Sequence, residues 1–311
     1  MKKICILLFL SAYWGASTSA HPEDSEAPYI YVLGVAQDAG YPQAGCYEPH
    51  CLPGWRETSL RRGATSLGLI DPLANRKYLF EATPDLPSQL FALEQQAPSE
   101  RYSLSGVFVT HAHIGHYAGL MFFGHEAMSA DKVAVYSMPR MQLFLKSNGP
   151  WSQLVDYQNI VLKQLQNQRA VELDTLRVTP FLVPHRDEFS ETVAYRIDGP
   201  NKSAIFIPDI DKWSKWSVDL PALLGSVDYA LIDATFFGDS ELPGRDMSKV
   251  PHPLVTESMS LLDKLLLEQR NKVWFIHMNH TNPLLRADSQ ESELVRAKGY
   301  NIAVEGLRLP L

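Results

Sequence analysis

The chain has 311 residues, of which 45% are hydrophobic, and its formal net charge at pH 7 is −7. This apolar content can supply a sizeable core. The negative charge argues against nucleic acid as a partner, because phosphate binding needs a basic surface. Beyond the first residues no apolar run approaches the length of a bilayer span, so stable membrane insertion is not expected.

The N-terminal residues have the pattern of a targeting segment. Two lysines precede an apolar run from Ile4 to Leu10, which is too short to span a bilayer, and Thr18–Ala20 offers a small-residue cleavage site. We therefore expect a signal peptide over residues 1–20, periplasmic or secreted localisation, and one domain over residues 21–311. An uncleaved membrane anchor is the alternative. Cleavage would remove two lysines and no acidic residue, which lowers the net charge from −7 to −9.

Apolar, β-branched runs alternate with stretches of helical spacing along the rest of the chain. The runs predict strands at Tyr29–Ala36, Thr65–Leu69, Tyr78–Phe80, Val107–Thr110, Val133–Tyr136, Val178–Val183, Val193–Ile197, Ala204–Ile207, Tyr229–Asp233 and Val273–Ile276. Helices are predicted at Leu86–Gln95, capped by Asp85, and at Tyr117–Met128, Pro139–Ser147, Leu254–Gln269 and Ser289–Lys298. Residues 153–174 are polar and ambiguous, and residues 239–252 predict a loop, which can serve as a lid over a cleft.

The segment from Thr110 to His116 reads Thr-His-Ala-His-Ile-Gly-His and holds three of the ten histidines. It lies between a predicted strand and a predicted helix, where side chains converge on a cleft. His111 and His113 point to the same side of an extended chain, and His116 is offset one turn into the helix. Imidazole nitrogen binds zinc, iron, copper or nickel, so the spacing predicts a metal centre for two neighbouring ions. Exposed histidines without a function are the alternative.

Three further ligand candidates each follow an apolar run. They are His185, Asp209 and His277. A lone histidine after a strand is most often structural, but four strand ends that all carry nitrogen or carboxylate groups indicate one common site.

The order His-x-His-x-x-His, His, Asp, His resembles the metallo-β-lactamase superfamily. Within it, flanking segments resemble the family of pyrroloquinoline quinone biosynthesis protein B. These segments are Leu33–Gln43, Ala82–Leu86, Val183–Glu188, Pro208–Asp211, Asp233–Phe236 and His277–Pro283. The resemblance runs from about Tyr29 to the C-terminus. It implies an α/β (α+β) fold, an αβ/βα sandwich of two mixed β-sheets flanked by helices.

The resemblance also implies how the ligands are shared between two ions. The first ion would be held by His111, His113 and His185, and the second by His116 and His277, with Asp209 bridging both.

The residue before the third histidine departs from the superfamily pattern. It is usually Asp and is Gly115 here, so a more weakly held second ion is expected. Beside Asp209, another carboxylate would then act as the catalytic base, and the candidates are Asp211, Asp38 and Glu81. In the opposite direction, the quinone-biosynthesis family tends to lack the leading histidines that this chain has.

Cys46 and Cys51 remain after signal-peptide cleavage, and three interpretations compete. An oxidising compartment favours a disulfide. Buried free thiols are the second possibility. Superfamily relatives imply the third, a structural zinc held by both cysteines and His280, with Glu48 or His50 completing the tetrahedron.

The predicted activity is that of an exported metal-dependent hydrolase. One or two zinc ions would activate water for attack on an ester, amide or phosphodiester of a small molecule or peptide. Iron is the alternative metal, in an oxygenase related to pyrroloquinoline quinone biosynthesis. A metal-binding protein without catalysis is the third hypothesis.

Overall fold

The structure is a computed structural model that describes residues 27–311. The predicted signal peptide over residues 1–20 lies outside the described residues. Within the described range, no helix has both the length and the apolar character needed to cross a membrane.

Two mixed β-sheets of seven strands each form the centre of the fold. The first sheet has the order β14-β1-β2-β3-β4-β5-β6, and the second has the order β13-β12-β11-β10-β9-β8-β7. The strands are β1 Tyr29–Gly34, β2 Ser66–Asp71, β3 Arg76–Phe80, β4 Ser103–Phe108, β5 Val133–Ser137, β6 Ile160–Gln164, β7 Val171–Leu173, β8 Leu176–Leu182, β9 Val193–Asp198, β10 Ser203–Ile207, β11 Tyr229–Asp233, β12 Val273–Ile276, β13 Asn301–Ile302 and β14 Arg308–Pro310.

Nine α-helices connect the strands in the described part of the chain. They are α1 Leu52–Arg56, α2 Leu86–Gln96, α3 Ile114–Tyr117, α4 Pro139–Ser147, α5 Trp151–Asp156, α6 Leu220–Gly225, α7 Val255–Leu262, α8 Leu267–Arg270 and α9 Gln290–Ala297. One apolar cluster fills the space between the sheets, and a second packs α2, α4 and α5 against the outer face of the first sheet. The predicted sandwich of two helix-flanked mixed sheets is confirmed.

Aromatic side chains join the two sheets. The ring centroid of Phe80 on β3 lies 5.3 Å from that of Tyr195 on β9 and 6.2 Å from that of Phe206 on β10. The buried Tyr195 hydroxyl donates a hydrogen bond of 2.6 Å to the carbonyl of Val109, just before the histidine-rich segment. This contact fixes the end of β4 against the second sheet.

The ten predicted strands all overlap observed strands, but the helix predicted over Tyr117–Met128 is wrong. Instead, α3 starts at Ile114, and a 3-10 turn over Ala118–Phe123 follows it. The reason is a close backbone approach. The Gly119 amide donates to the Ala82 carbonyl, and a Cβ atom at Gly119 would lie 2.0 Å from the carbonyl oxygen of Thr83.

The helix predicted over Leu254–Gln269 is interrupted. It divides into α7 and α8, because the backbone of Leu266 is extended between them. In the ambiguous region 153–174 the structure has the end of α5 and the strands β6 and β7. Both strands lie at sheet edges, where polar side chains are expected.

Asp85 stands at the N-cap position of α2 as predicted, but its carboxylate does not cap that helix. It accepts a hydrogen bond of 2.8 Å from the backbone amide of Ala64 instead. The predicted loop over residues 239–252 is irregular apart from a 3-10 turn at Met247–Lys249. It packs on a small apolar cluster of its own.

Candidate metal centre

The predicted ligands follow four different strands. The histidine-rich segment follows β4, and His185, Asp209 and His277 follow β8, β10 and β12. Because β10, β11 and β12 are parallel, their carboxyl ends meet at one edge of the second sheet. The contact between Tyr195 and Val109 brings the end of β4 to the same edge.

The first group consists of His111, His113, His185 and Asp209, whose ligand atoms all lie within 4.8 Å of one another. His113 Nδ1 lies 2.8 Å from His111 Nε2 and 3.2 Å from His185 Nε2. His185 Nε2 is also 3.2 Å from Asp209 Oδ2. Ligands of a tetrahedral zinc ion with Zn–N bonds near 2.0–2.1 Å stand about 3.3–3.4 Å apart, so the arrangement fits one ion.

The second group consists of His116, Asp209 and His277, all buried, with ligand atoms within the same 4.8 Å limit. Within the part of the chain that the structure describes, His116 Nε2 and His277 Nε2 make no hydrogen bond, and Asp209 Oδ1 lies 3.2 Å from His252 Nδ1. Buried polar atoms without a partner carry a large desolvation cost, and two such nitrogen atoms beside a buried carboxylate fit a bound cation. Asp209 belongs to both groups.

Each of the five histidines is oriented through its other ring nitrogen, at 2.8 to 3.3 Å from a neighbouring oxygen. The pairs are His111 with Thr110, His113 with Glu188, His116 with Glu81, His185 with Asp211 and His277 with Thr235. Such outer partners fix the tautomer and the ring direction of metal-binding histidines.

The three carboxylates that were candidates for the catalytic base lie in different environments. Glu81 is fully buried behind His116, and Asp211 lies between His185 and Lys215, whose Nζ is 2.7 Å away. Their positions favour orientation of the histidines over proton transfer from water. Asp38 lies on the turn after β1 and is half-buried.

His111, His277 and Asp209 are kept in the forms that bind metal, whereas Glu81 and Asp209 raise the pKa of His116 against the effect of burial. Burial lowers the pKa of His111 and His277 well below the usual value, so both rings stay neutral. Burial opposes ionisation of Asp209, but His252 and then His111 and His185 outweigh it and hold the pKa of Asp209 well below its usual range. A neutral imidazole and an ionised carboxylate are the metal-binding forms.

His252 is a site residue that the sequence analysis missed. Its Nδ1 lies 2.9 Å from Asp233 Oδ2 and 3.2 Å from Asp209 Oδ1. Burial opposes its protonation, but Asp233 and Asp209 raise the pKa of His252 to about 9. His252 stands in the irregular loop after residue 239, and the only sequence signal is its position between Asp209 and His277.

The cysteine loop lies beside this centre and contains a disulfide between Cys46 and Cys51. His50 Nε2 is 3.4 Å from Cys46 Sγ, and the ring centroids of His50 and His280 are 5.5 Å apart. The four side chains form a compact group that could hold a metal ion. Of the two predicted fourth ligands, His50 lies within this group, whereas Glu48 is exposed and lies outside it. The bonded cysteines cannot act as thiolate ligands until they are reduced.

Replacement of His113 by Ala should remove about one metal equivalent per chain, because the first group loses one of its three nitrogen ligands. Metal analysis after dialysis measures this loss. His125→Ala is the matched control, since His125 is exposed and belongs to neither group. Full metal content in the His113 variant would contradict the first group.

The cysteine loop should lack reactive thiols as purified and take up one additional zinc ion after reduction. Thiol titration and zinc binding, each with and without reductant, measure the two states. His50→Ala should abolish the additional uptake, and Glu48→Ala should leave it intact. Zinc uptake that depends on Glu48 and not on His50 would contradict a site formed by Cys46, His50, Cys51 and His280.

The chain is similar to known proteins over most of its length. The chain is 27% identical to coenzyme PQQ synthesis protein B of Methylorubrum extorquens (strain PA1), over 91% of this chain and 100% of the relative. It is 26% identical to the protein of that name from Xanthomonas campestris pv. campestris (strain B100), over 91% of this chain and 99% of the relative.

Solved structures are similar over the same span. The crystal structure of Zn(2+)-bound PqqB from Methylobacterium extorquens matches with a TM-score of 0.76 and 24% identity, and covers 91% of this chain and 100% of that chain. A diphosphatase from the PhnP family matches with a TM-score of 0.62 and 21% identity, over 91% and 97% of the two chains. The family model of the beta-lactamase superfamily domain matches residues 76–278, which is more than half of the chain. The chain therefore belongs to the metallo-β-lactamase superfamily.

Proposed function

We propose that this protein is an exported hydrolase with a two-ion zinc centre at Asp209. One observation carries the proposal: two groups of histidines, each compact enough for one ion, share a single buried carboxylate. Bound zinc would supply an activated water molecule and polarise the acceptor oxygen of an ester, amide or phosphodiester. The zinc-bound PqqB neighbour supports zinc as the metal.

The residues around the centre would have different roles in this reaction. Asp209 and the five histidines would hold the ions, and the oxygen atoms paired with the histidines keep the rings in place, which limits reorganisation during turnover. His252 lines the adjoining cleft, and Asp233 and Asp209 raise its pKa to about 9 against the effect of burial. It can therefore donate a hydrogen bond to a substrate oxygen that enters from the cleft.

The second candidate function is iron-dependent oxidation. It is favoured by the similarity to the PQQ synthesis proteins, which points to a role in cofactor biosynthesis. Histidine-rich sites accept iron as well as zinc. The chain has all the histidines of the His-x-His-x-x-His segment, whereas the PQQ synthesis family tends to lack the leading ones. This difference supports the hydrolase.

Metal-stripped protein reloaded with either zinc or iron(II) distinguishes the two candidates. We expect hydrolysis of p-nitrophenyl esters or of bis(p-nitrophenyl) phosphate by the zinc form, and loss of this activity in His116→Ala. His125→Ala is the control. Oxygen consumption by the iron form without any hydrolysis by the zinc form would contradict the proposal, as would stable metal binding without turnover of any kind.

A cleft of about 600 Å³ next to the centre indicates the charge of the substrate. Among the described residues that line it, none is acidic, whereas Arg186 and Arg245 both contribute to its wall. The contact of Arg186 with Glu188 is 3.8 Å between two half-exposed side chains and offsets little charge. In a chain of net charge −7, two arginines without a lining carboxylate favour an anionic substrate. We infer that the substrate carries a carboxylate or phosphate group away from the bond that is cleaved.

Arg245→Gln should raise KM for a p-nitrophenyl succinate monoester by about tenfold, the effect of one weakened charge contact near 1.4 kcal/mol. KM for the neutral p-nitrophenyl butyrate should stay unchanged. Arg101→Ala is the control, because Arg101 precedes β4, at the opposite end of that strand from His111. An equal change for both esters would contradict recognition of charge.

A further inference from the structure

The space beside Gly115 is filled by the backbone of another loop. A Cβ atom on residue 115 would lie 2.5 Å from Asp38 Cα and 2.7 Å from the Asp38 carbonyl oxygen. Real Cβ contacts are essentially never so short, so no side chain fits at position 115 while the Asp38 turn holds its place. The absence of a side chain at Gly115 therefore allows the backbone of the Asp38 turn to lie directly against the residue before His116.

The Asp38 turn is anchored between the two histidines of the second group. On one side it touches Gly115, the neighbour of His116. On the other side the Gln37 amide donates a hydrogen bond of 2.8 Å to the carbonyl of Met278, the neighbour of His277. These two contacts hold the Asp38 turn between the chain segments that carry His116 and His277.

The conformation of Asp38 itself is unusual. Its φ is +48°, in the left-handed region that non-glycine residues adopt at a cost of roughly 1–3 kcal/mol. The packing against Gly115 and the hydrogen bond to Met278 hold it there.

The Asp38 carboxylate, unlike those of Glu81 and Asp211, is not paired with another side chain in the part of the chain that the structure describes. Glu81 and Asp211 already contact His116 and His185. Between residues 27 and 311 the Asp38 side chain has neither a hydrogen bond nor an ion pair.

We propose that Asp38 supplies the carboxylate of the second metal site, in place of the side chain that Gly115 lacks. This inference rests on the two-ion centre proposed above. In the structure Asp38 is not among the ligand atoms that lie within 4.8 Å of one another, so its half-buried side chain would have to rotate toward the second ion to bind it. The negative charge of Asp38 then helps to balance the second cation, which otherwise has Asp209 as its only carboxylate.

Asp38→Asn is the variant that tests the proposal. Asn tolerates the left-handed conformation as well as Asp, so the turn is retained while the charge is lost. Zinc titration against a competing chelator should give an affinity for the second ion that is lower by about 10–100-fold, the usual effect of removing a metal-supporting carboxylate, with the first ion unaffected. Asp131→Asn is the control, because the Asp131 side chain is 87% exposed.

The outcomes separate this inference from the proposed function. Two ions in the unaltered protein, with the second weakened only in Asp38→Asn, support the role of Asp38. Two ions that bind equally well in the unaltered protein and in Asp38→Asn overturn the inference and leave the two-ion centre intact. A single ion in the unaltered protein overturns both.

Discussion

The Asp209 carboxylate is the group on which the site depends. It is buried, and nitrogen atoms of His111, His185 and His252 lie 3.2 to 3.4 Å from its oxygen atoms. A buried carboxylate without compensation would cost several kcal/mol, so the surrounding side chains must supply positive charge or hold a cation. The convergence of four strand ends on one edge of the sandwich meets this requirement.

The sequence predicts the ligands because the two-sheet architecture makes strand ends converge. His111, His185, Asp209 and His277 each follow an apolar run, and such runs are recognisable without long-range information. The fold class follows from the same runs together with the resemblance. The edge strands β6 and β7 do not follow from the sequence, because β7 has only three residues and the apolar run at the start of β6 is short and flanked by polar residues.

Features that depend on contacts between distant segments could not be predicted. His252 lies in an irregular loop, and only the folded chain shows that it lies between Asp209 and Asp233. In the sequence, Gly115 indicates only that a metal-binding aspartate is missing. The structure shows that a side chain at this position would collide with the backbone of Asp38. The helix after His116 was overpredicted for the same reason, since the backbone contact of Gly119 with Thr83 is invisible to periodicity.

Zinc anomalous diffraction from crystals of the protein grown with zinc tests the two-ion centre most directly. We expect two anomalous peaks on either side of Asp209, one among His111, His113 and His185 and the other between His116 and His277, at about 2.0–2.2 Å from their ligand atoms. Zinc bound only at the Cys46 loop, or the absence of any peak at Asp209, would contradict it.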